Sequence, residues 1–181
     1  MEWIQSIDTG ILLFIQEHMR NEAFHGFWRA ITFLGSAGWF WLALAVILLI
    51  PKKTRKAGFT ALLSMGIGAL ITNVFLKNAV ARIRPYDAVE TIVPLVGKLS
   101  DYSFPSGHTC ASFASAFVYY RLLPRKYGIL TMILAVLISF SRLYLGVHYP
   151  TDVLGGFFIG LLSSILAYQI VESYLKKKQK V

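Results

Sequence analysis

Six side chains suited to phosphate chemistry fall in three short clusters: Lys77 with Arg84-Pro85, then Pro105-Ser106-Gly107-His108, then Ser141-Arg142 with His148 and Asp152. They comprise three cations, two imidazoles and one carboxylate. Arginine forks match phosphate oxygens in pairs, and lysine adds a point charge. The three cations, read with no acidic partner nearby, predict an anion site. Pro105-Ser106-Gly107-His108 reads as a helix start, with Ser106 as N-cap and Gly107 leaving room for a ligand at the backbone. The free N–H groups of such a start attract an anion. An ordinary capped helix explains Ser106 and Gly107 as well, but leaves His108 without a reason. Pro150 forces a turn after His148, which brings the Asp152 carboxylate back toward the imidazole. A carboxylate on one ring nitrogen fixes the tautomer and frees the other nitrogen to attack. The alternative is Asp152 as a helix cap with His148 exposed. Breaking a phosphate ester without a metal needs a nucleophile and a proton donor, and the two histidines supply one of each.

These side chains sit at the ends of long apolar runs. Of 181 residues, 56% are hydrophobic and 15% are charged, against about 25% charged in soluble domains. Several uncharged runs reach the roughly 20 residues that cross a bilayer. The expected fold is all-α, a polytopic transmembrane helix bundle of about five spans forming one domain over residues 1–181. The spans are expected at Ala30–Ile50, Ala57–Leu76, Ser106–Leu123, Gly128–Leu145 and Val153–Tyr174. In the second, Ser64, Gly66, Gly68 and Ala69 suit close helix packing. Lys77–Ser103 should be a surface loop with short helical pieces.

Residues 3–19 place Ile4, Ile7, Ile11, Phe14 and Ile15 at helical spacing, with Gln5, Asp8, Gln16 and Glu17 facing away. This predicts an amphipathic helix in the membrane interface, the alternative being a short tilted sixth span. No secretory leader is expected at Met1-Glu2-Trp3. The single Cys110 excludes an intrachain disulfide and reads as a small packing residue. His18 and His25 read as interface histidines, and Trp39, Trp41, Tyr86, Tyr102, Tyr144 and Tyr149 as a belt of interfacial anchors.

The net charge of +9 does not point to nucleic acid. It is concentrated in Lys52, Lys53, Arg55 and Lys56, in Arg121, Arg125 and Lys126, and in Lys176, Lys177, Lys178 and Lys180. All three groups flank apolar runs, which is the positive-inside pattern, with added attraction to membrane lipids of negative charge. Placing them in the cytoplasm puts the N-terminal helix, the 77–105 loop and the 146–152 turn outside. All three chemical clusters then share the extracytoplasmic face. The tail from Lys176 to Val181 is expected to fray.

The pattern Lys77-x6-Arg84-Pro85, Pro105-Ser106-Gly107-His108 and Ser141-Arg142-x5-His148-x3-Asp152 resembles the three-part signature of the type-2 phosphatidic acid phosphatase and vanadium haloperoxidase superfamily. The resemblance spans residues 77–152 and misses no signature position. It implies that His148 attacks phosphorus to give a phosphohistidine, that Asp152 orients it, and that His108 protonates the leaving oxygen and then activates water. Lys77, Arg84 and Arg142, with N–H groups near Ser106 and Gly107, would hold the phosphate. No metal and no other cofactor is expected, since no Asp/Glu cluster is available. The implied partner is a phosphorylated lipid, most readily undecaprenyl diphosphate, with phosphatidylglycerol phosphate or phosphatidic acid as alternatives. An anion transporter or channel would also want buried cations, but it has no need of two histidines or of the His148–Asp152 pair. The oligomeric state is left open.

Overall fold

The computed structural model describes residues 2–178, so Lys180 and the rest of the 179–181 tail lie outside the described residues. The described residues form an all-helical bundle. Helix α1 (Glu2–Phe14) ends in a π-helical turn, Ile15–Met19. Helices α2 (Glu22–Gly35) and α3 (Trp39–Leu49) form one apolar path of 28 residues, kinked at Ser36–Gly38 where Ala37 and Gly38 take positive φ. Helix α4 (Arg55–Ala69) runs through a π-helical stretch, Leu70–Leu76, into α5 (Lys77–Val80), and α6 (Pro85–Ala88) follows. Helices α7 (Gly107–Leu122), α8 (Arg125–Tyr144) and α9 (Pro150–Lys178) complete the chain.

Among the described residues four helical paths are long and apolar enough to cross a membrane: Glu22–Leu49, Arg55–Ala88, Arg125–Tyr144 and Pro150–Lys178. The fifth expected span is α7. At 16 residues it is shorter, about 24 Å, and it is the central helix, packed by α4, α8 and α9. Many of its inward positions are small: Thr109, Cys110, Ser112, Ala114, Ser115 and Ala116 are all buried, alongside the larger Phe113, Val118 and Tyr119. Small residues let neighbouring backbones approach and let hydroxyls find carbonyls. Ser64 of α4 donates to the Ala114 carbonyl at 2.8 Å, and Trp41 Nε1 donates to Ser112 Oγ at 3.0 Å. On the α9 side the approach is closer still. A Cβ at Gly156 would stand 2.6 Å from the Ser106 carbonyl oxygen, and one at Gly160 would stand 2.9 Å from the Cys110 carbonyl oxygen. The outer faces carry exposed Val46, Ile47, Leu70, Leu130, Phe158 and Leu166. So much outward apolar surface suits lipid rather than water.

Several details differ from expectation. The first membrane path begins at Glu22 rather than Ala30, because Asn21 caps it by accepting from the Ala23 N–H, and Arg29 places its charge on the Leu95 carbonyl. Trp41, Tyr144, Tyr149 and Tyr86 are core residues and not interfacial anchors: their rings fill space between helices, and only Trp39 and Tyr102 of that group are exposed. Gly68 meets Cys110 and Ser163 as a packing residue should, whereas Gly66 and Ala69 face an open cavity. Lys176 to Lys178 continue α9 instead of fraying.

Helix α1 is amphipathic as expected, and its apolar face, with Ile4, Ile7, Ile11 and Phe14, points outward. Ile15 departs from that stripe and is buried. The polar side is only partly solvated, with Glu17 exposed. Asp8 is 1% exposed and faces Arg82 and Thr151, and Gln16 bonds the 91–93 backbone. At the opposite end Lys56 pairs with Glu172, and Lys56 and Arg121 both lie over the Tyr168 ring. The basic clusters and the chemical clusters therefore occupy opposite ends of the bundle.

Candidate active site

Three helix termini and one loop bring the clusters together. Helix α8 ends in a Schellman turn, with Gly146 N–H bonded to the Leu143 carbonyl and Val147 N–H to the Arg142 carbonyl. Gly146 takes φ +71°, which this terminus requires of its residue after the cap. The turn leaves Arg142 on the last helical turn and directs the chain into His148. Pro150 then occupies the first position of α9, and Asp152 the third. Asp152 Oδ2 accepts the Tyr149 N–H at 2.8 Å and faces His148 Nδ1 at 3.5 Å. Asp152 is therefore not an N-cap beside an exposed His148: from the third position of α9 it reaches back to the Tyr149 N–H, and His148 is buried. Ser103 donates to the same carboxylate oxygen.

The α7 terminus lies beside them. Ser106 is the N-cap, its hydroxyl accepting from Thr109 N–H at 3.4 Å and from the Thr109 hydroxyl at 3.0 Å. The Ser106 N–H donates to the Asp152 carbonyl at 3.0 Å. The donor expected there for phosphate is therefore committed to joining α7 to α9. The N–H groups of Gly107 and His108 remain as the first-turn donors. A Cβ on Gly107 would touch only Asn73 Oδ1, at 3.5 Å, so the backbone there is open to a ligand. The His108 ring sits against Gly35 of α2, where a Cβ would come within 2.8 Å of it. A side chain at Gly35 would clash with His108 and with Ile138, whose Cγ2 would stand 2.6 Å from the Cβ.

Lys77 and Arg84 are joined by a strained corner: Ala81 takes φ +47°, unfavourable for a residue with a Cβ. That corner turns the chain so that both cations reach one spot. Arg84 Nη1 donates to the Val147 carbonyl at 2.7 Å and stands 3.5 Å from His148 Nε2. Arg142, Lys77, Arg84 and His148 are the charged or titratable groups around the His108 ring. All six chemical side chains thus converge.

One expectation fails. The cations do have an acidic neighbour: Asp101 pairs with Lys77 and also accepts from Arg84 Nη2 at 2.6 Å. Partial burial pushes the Asp101 carboxyl up, but Lys77 and Arg84 outweigh it and hold it down at about 2. Only Arg142 lacks an acidic partner among the described residues. It is 3% exposed, donates Nη1 to Thr32 Oγ1 at 2.6 Å, and keeps a buried Nε with no acceptor. His108 Nε2 is likewise buried without a partner. Burial lowers the His148 pKa most, Asp152 works against that, and the charges of Arg142 and Arg84 lower it further, to about 4. His148 is therefore neutral near pH 7, the form in which a ring nitrogen attacks.

A cavity of about 530 Å³ opens from this cluster. Lys77, Asp101, Asn73 and His108 line it at one end, and Gly38, Leu42, Leu62, Gly66 and Ala69 line it between the α2–α3 kink and α4. It joins a charged head site to an apolar slot.

The PAP2 superfamily model matches residues 57–175. The chain belongs to the PAP2 superfamily. Among curated PAP2 relatives, undecaprenyl-diphosphatase of Sulfolobus acidocaldarius is 38% identical, over 77% of this chain and 68% of the relative. Phosphatidylglycerophosphatase B of Bacillus subtilis is 36% identical, over 98% of this chain and 89% of the relative. The crystal structure of a transmembrane PAP2-type phosphatidylglycerolphosphate phosphatase from Bacillus subtilis superimposes with TM-score 0.79 at 34% identity, covering 96% of this chain and 88% of that one. Asp101, Arg82, Asp8 and Ser103 surround the site but fall outside the signature spacing. Only Asp8 stands in a pattern at all, as a carboxylate on the polar face of an amphipathic helix, and that pattern predicts exposure rather than burial.

Proposed function

We propose that this integral membrane lipid phosphatase hydrolyses undecaprenyl diphosphate to undecaprenyl phosphate through a phosphohistidine, on the extracytoplasmic side of the cytoplasmic membrane. One phosphatase domain carries the reaction. His148 Nε2 attacks the terminal phosphorus, the bridging P–O bond breaks, and His108 protonates the leaving oxygen. Asp152 supports the imidazolium that forms. Water activated by His108 then attacks the phosphohistidine and releases phosphate. Lys77, Arg84, Arg142 and the Gly107 and His108 N–H groups hold the phosphate oxygens, and Ser106 fixes the helix that presents them. The observation that carries this reading is Arg142. A buried guanidinium with an open edge and no carboxylate costs several kcal/mol unless an anion completes it, and two imidazoles flank the place where that anion belongs.

The long polyprenyl chain suits the slot between the α2–α3 kink and α4, where Gly38, Gly66 and Ala69 leave width without polarity. Similarity to a named undecaprenyl-diphosphatase supports the diphosphate headgroup. Phosphatidylglycerol phosphate is the second reading, favoured by the near-complete coverage of the glycerophospholipid phosphatase. Phosphate release by purified protein decides between them. With EDTA present, kcat/KM on the prenyl diphosphate should exceed that on phosphatidylglycerol phosphate and phosphatidic acid. A reversed order replaces the substrate assignment, and an absolute need for a divalent ion removes the mechanism. For sidedness, a cysteine placed between residues 86 and 100 in a Cys110→Ala background should react with an impermeant thiol reagent on intact cells. One placed at Thr54 should not. The opposite pattern puts the site in the cytoplasm.

Asp101 adds a further expectation. Its carboxylate sits on the two cations that would receive phosphate, so substrate must displace it. Asp101→Asn should tighten inhibition by vanadate about 5- to 10-fold, a modest gain because the Asp101 side chain is 50% exposed. The pairing is complete above the ordinary carboxylate pKa and is lost only as pH falls through about 2. The wild-type contact therefore persists wherever activity can be measured. Unchanged or weaker vanadate inhibition of Asp101→Asn would show that the carboxylate does not compete for the site.

A further inference from the structure

We infer that Asp8 of the N-terminal helix is a positioning residue for phosphoryl transfer, acting through Arg82 on Asp152; the inference rests on the reading of His148 as nucleophile. Asp8 lies far from the signature clusters in sequence and outside the residues that the family model matches. In space it is one side chain removed from the nucleophile's partner. Arg82 Nη2 donates to Asp8 Oδ2 and to Gln5 Oε1, each at 2.7 Å. Arg82 Nη1 donates to Asp152 Oδ1 and to Thr151 Oγ1, each at 2.7 Å. The Thr151 N–H donates to Asp8 Oδ1 at 3.0 Å, and the Thr151 hydroxyl donates to Asp8 as well. Arg82 Cζ lies over the Tyr149 ring, 3.9 Å from its centroid. Asp8 and Asp152 are both essentially hidden from solvent.

Two features make this more than a buried ion pair. The first is division of labour on Asp152. Arg82 engages Oδ1, while Oδ2 accepts from Ser103 and Tyr149 N–H and faces His148 Nδ1. Asp8 holds the other arm of the fork, so Arg82 cannot swing to straddle both oxygens of Asp152. The second is charge. Two carboxylates share one guanidinium, which leaves one negative charge in excess beside a neutral imidazole. When the Nε2 lone pair forms the N–P bond, the P–O pair departs with the leaving oxygen and the ring, keeping its Nδ1 proton, becomes cationic. The excess carboxylate charge then matches the new positive charge. Stabilisation that appears only as the ring becomes charged lowers the barrier rather than tightening substrate binding.

The test uses the full-length purified protein and the prenyl diphosphate substrate. Asp8→Asn should lower kcat about 10- to 100-fold, the scale of one charge-assisted hydrogen bond, with KM changed less than about threefold because the phosphate cations are untouched. His148 faces Arg84, Arg142 and His108 as well as Asp152. Only the carboxylate side changes in this variant, so the acid limb of kcat/KM should move to lower pH. Asp8→Glu should restore part of kcat and return the limb. Arg82→Lys, which keeps the charge but cannot reach both carboxylates, should lower kcat and leave the limb in place, and it serves equally if Asp8→Asn does not purify. Unchanged kcat in either variant overturns the inference, as does an Asp8→Asn loss that tracks melting temperature with an unmoved acid limb. His148→Ala is run beside them. If it is inactive while Asp8→Asn is normal, the inference alone fails. If His148→Ala stays active, the nucleophile reading fails and takes this inference with it.

Discussion

Replacing His148 by alanine should lower turnover by about a thousandfold or more, the scale seen when a covalent nucleophile is removed. The loss follows from the route itself: without a ring nitrogen there is no phosphohistidine, so no step remains for the other residues to assist. Vanadate affinity should change by less than about tenfold, since Arg84, Arg142 and Lys77 supply its fixed charge. His148 is buried, so alanine also leaves a cavity. His148→Gln, which keeps most of the volume, separates the two effects: it should purify and melt near wild type and be as inactive as alanine. A second readout is direct. Wild-type protein mixed with terminally labelled substrate and quenched in alkali should retain label, because phosphohistidine survives base, and neither variant should. Retention of more than about a tenth of the wild-type rate by both variants removes His148 from the nucleophile role.

The parts of this site legible in the sequence were those whose chemistry is local. A proline, an N-cap serine and a glycine in a row mark the start of α7 wherever the rest of the chain goes. The spacing from Arg142 to His148 to Asp152 is set by a helix terminus and a proline, which act over a few residues. The existence of the spans was legible because crossing a bilayer needs a long uncharged run, but their bounds were not: the second path continues past Leu76 to Ala88. What could not be read were partnerships made by the long loop. Asp101 pairs with Lys77 and Arg84 across 24 and 17 residues of chain, and no periodicity encodes such a contact. Arg82 falls in no signature spacing, yet it joins α1 to α9. The aromatic residues misled for another physical reason. A tyrosine near a span end serves equally as an interface anchor or as a core filler, and only the neighbouring helix decides. The kink at Ala37-Gly38 has a local mark in Gly35-Ser36-Ala37-Gly38, the Gly/Ser composition at which helices bend, but the uncharged run continues through it and reads as one span; it opens the slot that the proposed lipid chain would occupy.

The second large effect is expected at His108, and it should depend on the leaving group. In phosphatidic acid the departing group is an alkoxide, a strong base that must be protonated as the P–O bond breaks. In a prenyl diphosphate it is a phosphate monoester, which leaves with less help. His108→Asn keeps the ring's approximate size against Gly35 but has no proton to give. Loss of a general acid costs about 10²- to 10⁴-fold. That range should apply to kcat/KM on phosphatidic acid, whereas the diphosphate should lose only about tenfold at most. The comparison must use kcat/KM, which reports steps through phosphohistidine formation. The hydrolysis step also uses His108, so kcat should fall on both substrates. On the diphosphate, fast transfer followed by impaired hydrolysis should give a burst of about one undecaprenyl phosphate per active site and accumulation of labelled phosphoenzyme. The pH profile supplies an independent check. In the wild type the acid limb of kcat/KM belongs to His148, whose pKa lies near 4. Protonation below that value removes the attacking lone pair, so this limb should fall well under the ordinary histidine range. A bound phosphate dianion favours the imidazolium, so the corresponding limb of kcat should lie higher. The alkaline limb of kcat, set with the phosphate dianion bound, belongs to His108, and it should vanish in His108→Asn because no group then needs to stay protonated. Equal losses of kcat/KM on both substrates, with the alkaline limb intact and no burst, would remove His108 from the acid role and leave it as a wall of the phosphate site.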